Sequence, residues 1–252
     1  MNFVKNITIT VIICATAVLI VILSTQAVLG YKKTGTGGIT VTGSASQDFV
    51  SDLIVWRGSF SRTGQSLGDT YSQLKSDSDA VSAYLQGESV NTDDIVFSSV
   101  NIQYNYRDEV TTDAQGNTTR TTVQDGYTLT QTVTIQSDQV DQIEAVSRDV
   151  TKLIDTGIVF LSSQPEYYYT KLDELKINMI ADATKNARTR VEQIAQNSDS
   201  KIGQLLDSSL GVFQITAQNS SGDDYSAGGA FDTSSKYKTA QVTVKLHYAV
   251  GD

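Results

Sequence analysis

The hydrophobic pattern divides the chain into one uncharged apolar run and a longer remainder in which apolar and polar residues alternate. Residues Ile7–Leu29 form the run, and its polar members are all threonine, serine or glutamine. A helix needs roughly 20 apolar residues to cross the hydrocarbon core of a bilayer. The run therefore predicts one transmembrane helix at residues 7–29, preceded by a short cytoplasmic N-terminus at residues 1–6 and followed by a Gly-rich linker at residues 30–38.

A cleaved signal peptide is the competing interpretation of this run. Met1–Lys5 would be its basic leader and Thr25–Ala27 its small-residue cleavage site. A signal core is usually about 7 to 15 residues long, so the length of the run favours an uncleaved anchor. Lysines lie before the run and again at Lys32–Lys33, so the positive-inside rule gives no orientation. We assume that the C-terminal domain lies outside the cytoplasm, in the periplasm or at the cell surface.

Beyond the linker, apolar residues recur at intervals of two in some segments and of three or four in others, which predicts strands and helices respectively. The predicted strands are Ile39–Gly43, Leu53–Arg62, Ile95–Tyr106, Tyr127–Ile135, Ile158–Ser162, Glu166–Tyr169, Val212–Ala217 and Thr239–Tyr248. The predicted helices are Leu67–Gly87, Gln139–Ile154 and Leu172–Gln196. The buried stripe predicted for the third helix is Leu175, Met179, Ala183, Ala187, Val191 and Ile194.

This order of elements predicts an α+β domain at residues 39–250, in which helices pack on one face of a mainly antiparallel sheet. The small side chains of Ala183 and Ala187 would let the third helix approach its neighbour closely. Hairpins and helices alternate along the domain, so an arrangement of two related halves is a further interpretation. The segment Gln218–Lys236 is rich in Ser, Gly and Asp without periodicity, which predicts a flexible loop.

The chain between two of the predicted strands indicates a long antiparallel hairpin with a turn at Asp113–Asn117. Its tip, Val110–Val123, is rich in threonine and holds few large apolar residues, so it buries little surface against its own domain. Such a tip either stays mobile or pairs with a second copy of the chain, and a solvated loop is the simplest alternative. The candidate contacts between copies are the β-forming residues of the tip, namely Val110, Thr111, Thr112, Thr118, Thr119, Thr121, Thr122 and Val123.

Three consecutive tyrosines, Tyr167, Tyr168 and Tyr169, are the other candidate binding feature. They would stack on a glycan or on another envelope protein. Aromatic residues at the end of a strand are more often half buried in a core, and we favour that interpretation of the three tyrosines.

Charge and cysteine content narrow the function. The net charge is −9 and the sequence pI is near 4.6, and no basic stripe is present. Binding to nucleic acid normally requires such a stripe, so nucleic acid is not expected as a partner. The single cysteine, Cys14, lies inside the apolar run, so the domain beyond it has neither a disulfide nor a thiol nucleophile.

No motif in the domain indicates catalysis or a metal. Zinc sites need several His or Cys ligands, and the domain offers His247 alone. No Gly-x-Ser-x-Gly motif accompanies that histidine. The pairs Asp93–Asp94 and Asp223–Asp224 lack the surrounding loop that a calcium site of the EF-hand type needs. The sequence predicts neither an enzyme nor a cofactor.

Several short motifs resemble one family. Ile39–Ala45, followed by Asp52 and the strand to Phe60, resembles the opening of the SIMPL-domain family. The helix Ala181–Ala195 and the strand Lys201–Leu206 after it resemble that family's alanine- and arginine-rich helix and its Lys-x-Gly strand. The closing strand Val242–Leu246 is also similar.

The resemblance extends from Gly38 to about Val250 and includes no catalytic motif. One departure is Ser51, where the family often has proline, and it bears on a turn. The resemblance implies a secreted or envelope-anchored domain without known enzymatic activity. Some members of the family form large ring-like or channel-like oligomers and are linked to envelope or oxidative stress.

Two functions follow as expectations. The first is a non-enzymatic, membrane-anchored extracytoplasmic protein whose partners are further copies of itself and the lipid bilayer, the latter through residues 7–29. It would assemble into a large ring or cage at the cell envelope, with a link to envelope stress. The alternative is a monomeric binding module or accessory subunit for another envelope protein or for glycan.

Overall fold

A computed structural model describes residues 20–22, 24–25, 37–220 and 226–251. The predicted transmembrane helix at residues 7–29 lies almost entirely outside the described residues. Within them, no helix has both the length and the apolar character needed to cross a membrane. The chain divides into two compact units that interleave along the sequence. The first holds residues up to 45, 180–211 and 243–252, and the second holds residues 46–179 and 212–242.

The described elements confirm an α+β fold with mainly antiparallel pairing. The strands are β1 (Gly38–Val50), β2 (Leu53–Gly64), β3 (Ile95–Phe97), β4 (Asn101–Thr112), β5 (Thr118–Ser137), β6 (Phe160–Ser162), β7 (Glu166–Tyr168), β8 (Lys201–Leu210), β9 (Gln214–Ala217) and β10 (Tyr237–Gly251). The α-helices are α1 (Leu67–Gly87), α2 (Val140–Asp149) and α3 (Leu172–Asn197).

The second unit contains a six-stranded sheet with helices α1 and α2 on one face. β5 is a central strand that pairs with β2 along one edge. Its other edge pairs with β3 near the end of β5 and with β4 along the rest. β6 and β7 pair with the edge of β2 that faces away from β5. Alternate residues of the central strands point into one core, as the period of two predicts. The side chains of β2 and β5 that are at most 1% exposed in this core are Ile54, Trp56, Phe60, Leu129, Val133 and Ile135.

The two helices complete this core with stripes of helical spacing. Leu74, Val81 and Leu85 of α1 are fully buried, and Ile143 of α2 is 1% exposed. α1 begins at a Ser66 cap, whose hydroxyl accepts a hydrogen bond from the Asp69 backbone N–H at 3.4 Å.

The four-stranded sheet has β1 at one edge, β10 beside it, and β8 and β9 along the far side of β10. β10 pairs antiparallel with β8 from Val244–Leu210 to Gly251–Lys201. α3 packs against β1 in the first unit, where Gly43 lies directly against Ala183 and Ala187. This contact confirms that the alanines allow close approach of the helix.

The structure corrects several predicted boundaries. β1 continues to Val50, where the sequence had suggested a break after Gly43. The predicted strand Ile95–Tyr106 is interrupted between β3 and β4, and the helix predicted to Ile154 changes to a 3₁₀ helix at Val150–Thr156. The break between β3 and β4 contains Ser98 and Ser99, short polar residues that favour a local turn over a continuous ladder.

One prediction about a buried side chain was wrong. Ile194 is 45% exposed, whereas Ala195 is buried and completes the stripe with Val191, because α3 keeps a spacing of four residues there.

The segment Gln218–Lys236, which the sequence predicts as a flexible loop, is held by hydrogen bonds in its described part. Gln214 accepts hydrogen bonds from the backbone N–H groups of Ser226 and Ala230, and the Asp232 N–H donates to Ile215.

Candidate assembly surface on the β4–β5 hairpin

The predicted hairpin is present, and its outer half leaves the sheet as a two-stranded ribbon. β2 pairs with β5 only as far as the Gly64–Tyr127 pair. Beyond that pair β5 continues with β4 alone, from Tyr106–Gln124 to Thr112–Thr118. We call residues 106–124 the arm. Two-stranded ribbons are marginally stable by themselves, so the arm gains from any further pairing.

A tight turn closes the arm. The Asp113 carboxylate accepts hydrogen bonds from the backbone N–H of Asn117 at 2.8 Å, from the Asn117 side-chain amide at 2.9 Å and from the Gln115 N–H at 3.0 Å. The Asn117 side chain is the largest cause of the lowered pKa of Asp113. Gly116 has φ of +85°, a left-handed conformation that glycine adopts without strain. The sequence Asp113–Asn117 therefore forms the predicted turn.

A β-bulge separates the arm from the sheet. The register shifts between Tyr104, which pairs with Tyr127, and Tyr106, which pairs with Gln124, so β5 carries one extra residue here. Gly126 lies in this bulge with φ of +91°, and its α-carbon closely approaches the Gly64 backbone, leaving no space for a side chain. Bulges bend and twist a strand pair. The bulge thus changes the course of the arm where it leaves the sheet.

The strand alternation divides the predicted contact residues between the two faces of the arm. Val110, Thr112, Thr118 and Thr122 lie on one face, because their pairs share the parity of Tyr106 and Gln124. The other face carries Thr111, Thr119, Thr121 and Val123, with Arg107 and Glu109. All eight take part in the ladder between β4 and β5, so the tip is a paired two-stranded ribbon.

An exposed apolar row runs along the first of these faces. Ile102 pairs with the buried Leu129, and Tyr104 pairs with Tyr127, so both lie on the core face of the sheet. Tyr104 and Tyr127 have ring centroids 5.4 Å apart. The row consists of the apolar β4 residues of one parity, with their exposed fractions: Ile102 45%, Tyr104 53%, Tyr106 64% and Val110 53%. Asp108 has the same parity and interrupts the row between Tyr106 and Val110, where it lies near Arg120 of β5. The core face thus continues along β4 with its apolar side chains still exposed.

β4 is also an edge strand. Among the described residues it pairs with β5 alone, so the backbone groups on its other side have no strand partner. Native proteins usually protect such an edge by short length, charge or a covering element. β4 has twelve residues, and the charged residues on it are confined to Arg107, Asp108 and Glu109. A long edge next to an apolar row is a surface suited to another strand.

The apolar row was missed as a surface at the level of sequence. The alternation placed Ile102, Tyr104 and Tyr106 on one side of a strand, but it gave no sign that the helices stop short of them. One feature of the sequence indicated an exposed row. The alternation of β4 leads into a threonine-rich tip, and no apolar helical stripe follows nearby in the sequence to cover it.

The three tyrosines do not form one surface. Tyr167 is 7% exposed and belongs to the core. Tyr168 donates a hydrogen bond from its hydroxyl to Glu166 at 3.0 Å, and that hydrogen bond raises the pKa of Tyr168. The ring of Tyr169 lies 4.9 Å from that of Phe49. Tyr167 therefore belongs to the core, as the sequence interpretation favoured. Tyr168 and Tyr169 are half buried and contact different neighbours, Glu166 and Phe49.

The described residues contain no group of three or more His, Cys, Asp or Glu side chains arranged to hold a metal ion. His247 packs against Gly38 at the start of β1.

Comparison with known proteins identifies one family. No curated protein matches the chain. The family described as SIMPL, protein of unknown function (DUF541), matches residues 39–248. This match covers most of the chain and nearly all of the folded domain described above. The chain therefore belongs to the SIMPL family.

Proposed function

We propose that this protein is a non-enzymatic, membrane-anchored extracytoplasmic protein that assembles with further copies of itself into a large ring or cage at the cell envelope. The observation that carries the proposal is the open edge of β4 beside the exposed row of Ile102, Tyr104, Tyr106 and Val110. Residues 7–29 are the proposed anchor.

The physical argument combines backbone and side-chain terms. A strand added to the β4 edge gains a ladder of backbone hydrogen bonds, as in other cases of strand addition. Covering the apolar row removes hydrophobic surface from water, at about 25 cal/mol for each Å². The two contributions act at the same place, because the row and the edge belong to the same strand.

A ring requires that the arm contacts a different surface on the next copy, since only head-to-tail contacts propagate around a closed rotation. A membrane anchor assists by holding all copies on one surface, which raises their effective concentration. Anchored copies therefore need less affinity in each interface than copies in dilute solution.

The test is the particle mass of the full-length protein in mild detergent, measured by mass photometry beside a protein that begins at Gly37. We expect a discrete large mass for both. The diagnostic variant carries Tyr106→Lys and Val110→Lys, which place two charges in the apolar row. The matched control carries Thr111→Lys and Thr119→Lys, a cross-strand pair on the opposite face of the arm.

The diagnostic variant should lose the large particle, and the control should keep it. A monomer at micromolar concentration for the unmodified full-length protein would overturn the proposal and favour the accessory module. Loss of the particle in both variants would instead indicate that the arm is sensitive to charge in general, and the apolar row would lose its assigned role.

A further inference from the structure

The outer edge of β1 is closed by two side chains of α3 over part of its length. β1 is an edge strand of the four-stranded sheet. The Arg190 guanidinium donates a hydrogen bond to the Thr42 carbonyl oxygen at 2.9 Å. The Ser44 backbone N–H donates to the Asn186 side-chain oxygen at 3.2 Å. These side chains occupy the positions that a further strand would need beside Thr42 and Ser44.

The same edge stays open before Thr42. α3 runs antiparallel to β1, since Asn186 lies beside Ser44 and Arg190 beside Thr42, so the next turn of the helix flanks Thr40. The backbone groups of Thr40 point the same way as those of Thr42, because strand orientation repeats every two residues. Among the described residues, no α3 side chain hydrogen-bonds to the Thr40 backbone. The edge of β1 is therefore open at Thr40 and closed at Thr42, where Arg190 hydrogen-bonds to the strand.

This open stretch forms the floor of a groove of about 480 Å³. Thr40–Thr42 line it on the strand side, and Asn186, Thr189, Arg190, Gln193 and Ile194 line it on the helix side. Val41 is 6% exposed beneath the helix, and Ile194 is 45% exposed on the rim. The groove thus offers an apolar contact next to polar side chains and an open strand edge.

Arg190 supplies a cationic group at the closed end. Within the described part of the chain it has no carboxylate partner, whereas its neighbour Arg188 pairs with Glu192 at 2.9 Å. A guanidinium carries five N–H donors, and the bond to Thr42 uses one of them. The remaining donors match a carboxylate, which a guanidinium binds in a planar, bidentate manner.

We propose that this groove binds the extended C-terminal segment of a partner polypeptide. The backbone of the segment pairs with β1 at Thr40, its last side chain is apolar and contacts Ile194, and its terminal carboxylate binds Arg190. A chain end fits better than a continuous strand, because Arg190 and Asn186 block the edge beyond Thr42. Strand addition and capture of a terminal carboxylate are both established modes of peptide recognition. The site is independent of the β4–β5 arm.

The test uses the full-length protein in mild detergent and fluorescence anisotropy. The probe is a pool of N-terminally labelled hexapeptides with uncharged internal residues, Val, Leu or Ile at the last position and a free terminal carboxylate. The comparison pool has the same sequences with an amidated C-terminus. We expect saturable binding of the first pool and at least tenfold weaker binding of the second, because the charge-assisted hydrogen bonds are lost.

The diagnostic variant is Arg190→Gln, and the matched control is Arg188→Gln, which removes the same charge from the same helix. Arg190→Gln should weaken binding at least tenfold, and Arg188→Gln should leave it unchanged. Thermal unfolding of both variants checks that the domain is intact.

A third pool does not depend on any variant. It carries an N-methyl group on the two amides nearest the C-terminus, which removes the donors that would pair with β1. Loss of binding by this pool supports strand addition. Absence of binding by the free-carboxylate pool, equal affinity for the amidated pool, or unchanged affinity of the N-methylated pool would each overturn the proposal.

Discussion

Gly43 of β1 lies so close to α3 that a Cβ atom at this position would stand 2.7 Å from the Cβ of Ala187. The same atom would also collide with the helix backbone at Ala183 and Ala187. The strand and the helix are therefore in backbone contact, which requires small residues on both sides. This contact brings α3 near enough to β1 for Asn186 and Arg190 to reach the strand edge.

The first prediction is that Gly43→Ala destabilises the domain. An added methyl group has no space and forces the helix away from the strand, and overpacking of this kind costs about 1–3 kcal/mol. Chemical denaturation should show the loss as a lower midpoint at unchanged slope. The matched control is Gly68→Ala, because a Cβ on Gly68 in α1 has nothing within 4 Å. The control should be neutral or slightly stabilising, since alanine favours helices. Equal losses in the two variants would contradict the close contact.

This contact also shows how far the sequence predicts the structure. The alanine spacing at Ala183 and Ala187 indicated a closely approached helix, and the structure confirms it with Gly43 as the opposing residue. The spacing failed two turns later, where the prediction placed Ile194 in the buried stripe and the structure places Ala195 there. Hydrophobicity favours the larger residue, but the position of the neighbouring strand decides which one is covered.

The two binding surfaces show a different limit. Alternation in β4 identified a strand and its faces, because strand period is local information. Whether a helix covers Tyr106, or whether Arg190 meets Thr42, depends on how segments distant in sequence are placed, and no local pattern encodes that placement. The sequence therefore named Val110 at the tip as a candidate contact, but it revealed neither the exposed row of Ile102, Tyr104 and Tyr106 nor the groove beside β1.

The second prediction concerns a partly buried ion pair in the second unit. Arg62 of β2 binds Asp77 of α1 in a bidentate manner, with nitrogen–oxygen distances of 2.5 and 2.7 Å. The Asp77 side chain is only 8% exposed, and its hydrogen bond to Arg62 raises the pKa of the arginine. Asp77→Asn should cost about 2 kcal/mol of unfolding free energy, because a partly buried guanidinium loses its charged partner.

The control for this pair lies on the same helix. Asp79 forms an exposed pair with Lys75 at 3.5 Å, and its side chain is 73% exposed. Exposed pairs contribute little, so Asp79→Asn should change the unfolding free energy by about 0.5 kcal/mol or less. Urea denaturation of both variants measures the difference, and a similar cost for the two would refute the special role of Asp77.

The third prediction is that acid loosens the tip of the arm before the core. Hydrogen bonds from Asn117 and from backbone N–H groups lower the pKa of Asp113 below its ordinary value of 3.8. A carboxylate with a lowered folded pKa stabilises the fold above its unfolded pKa, and this contribution is lost as the pH falls through the folded pKa. Hydrogen exchange at Gln115–Thr118 should therefore accelerate, relative to the intrinsic rate, as the pH falls below about 4.

Asp113→Asn provides the comparison, since it removes the titrating group at the same position. Exchange at the tip of this variant, corrected for the intrinsic rate, should not change across the same pH range, and protection of Leu129–Ile135 serves as the internal reference for the core. An identical pH response of the tip in the variant and the unmodified protein would show that another group controls the turn.

The fourth prediction rests on Lys238, a lysine of β10 that is 1% exposed. Its ammonium group donates to the Tyr167 carbonyl at 2.6 Å and to the Asp232 carbonyl at 2.5 Å, and it lies 5.7 Å from the centre of the Phe231 ring. Burial lowers the pKa of Lys238 below its ordinary value of 10.5. The Lys238 ammonium thus holds β7, through Tyr167, and the segment after β9, through Asp232, against β10. This contact requires a buried charge.

The sign of its pH dependence follows from that lowered pKa. Between the folded pKa and 10.5, the unfolded chain binds more protons than the folded chain, so stability rises with pH in this window.

In Lys238→Met the two carbonyl groups lose their donor, and the variant should be less stable by about 1–3 kcal/mol at neutral pH. The stability difference between the unmodified protein and the variant should then widen as the pH rises from the folded pKa towards 10.5, because only the unmodified protein loses the cost of the buried charge. Urea denaturation across this range measures the difference, with Lys245→Met, an exposed lysine of the same strand, as the control for net charge. A difference that stays constant or narrows would contradict the assignment of Lys238 as a buried cation.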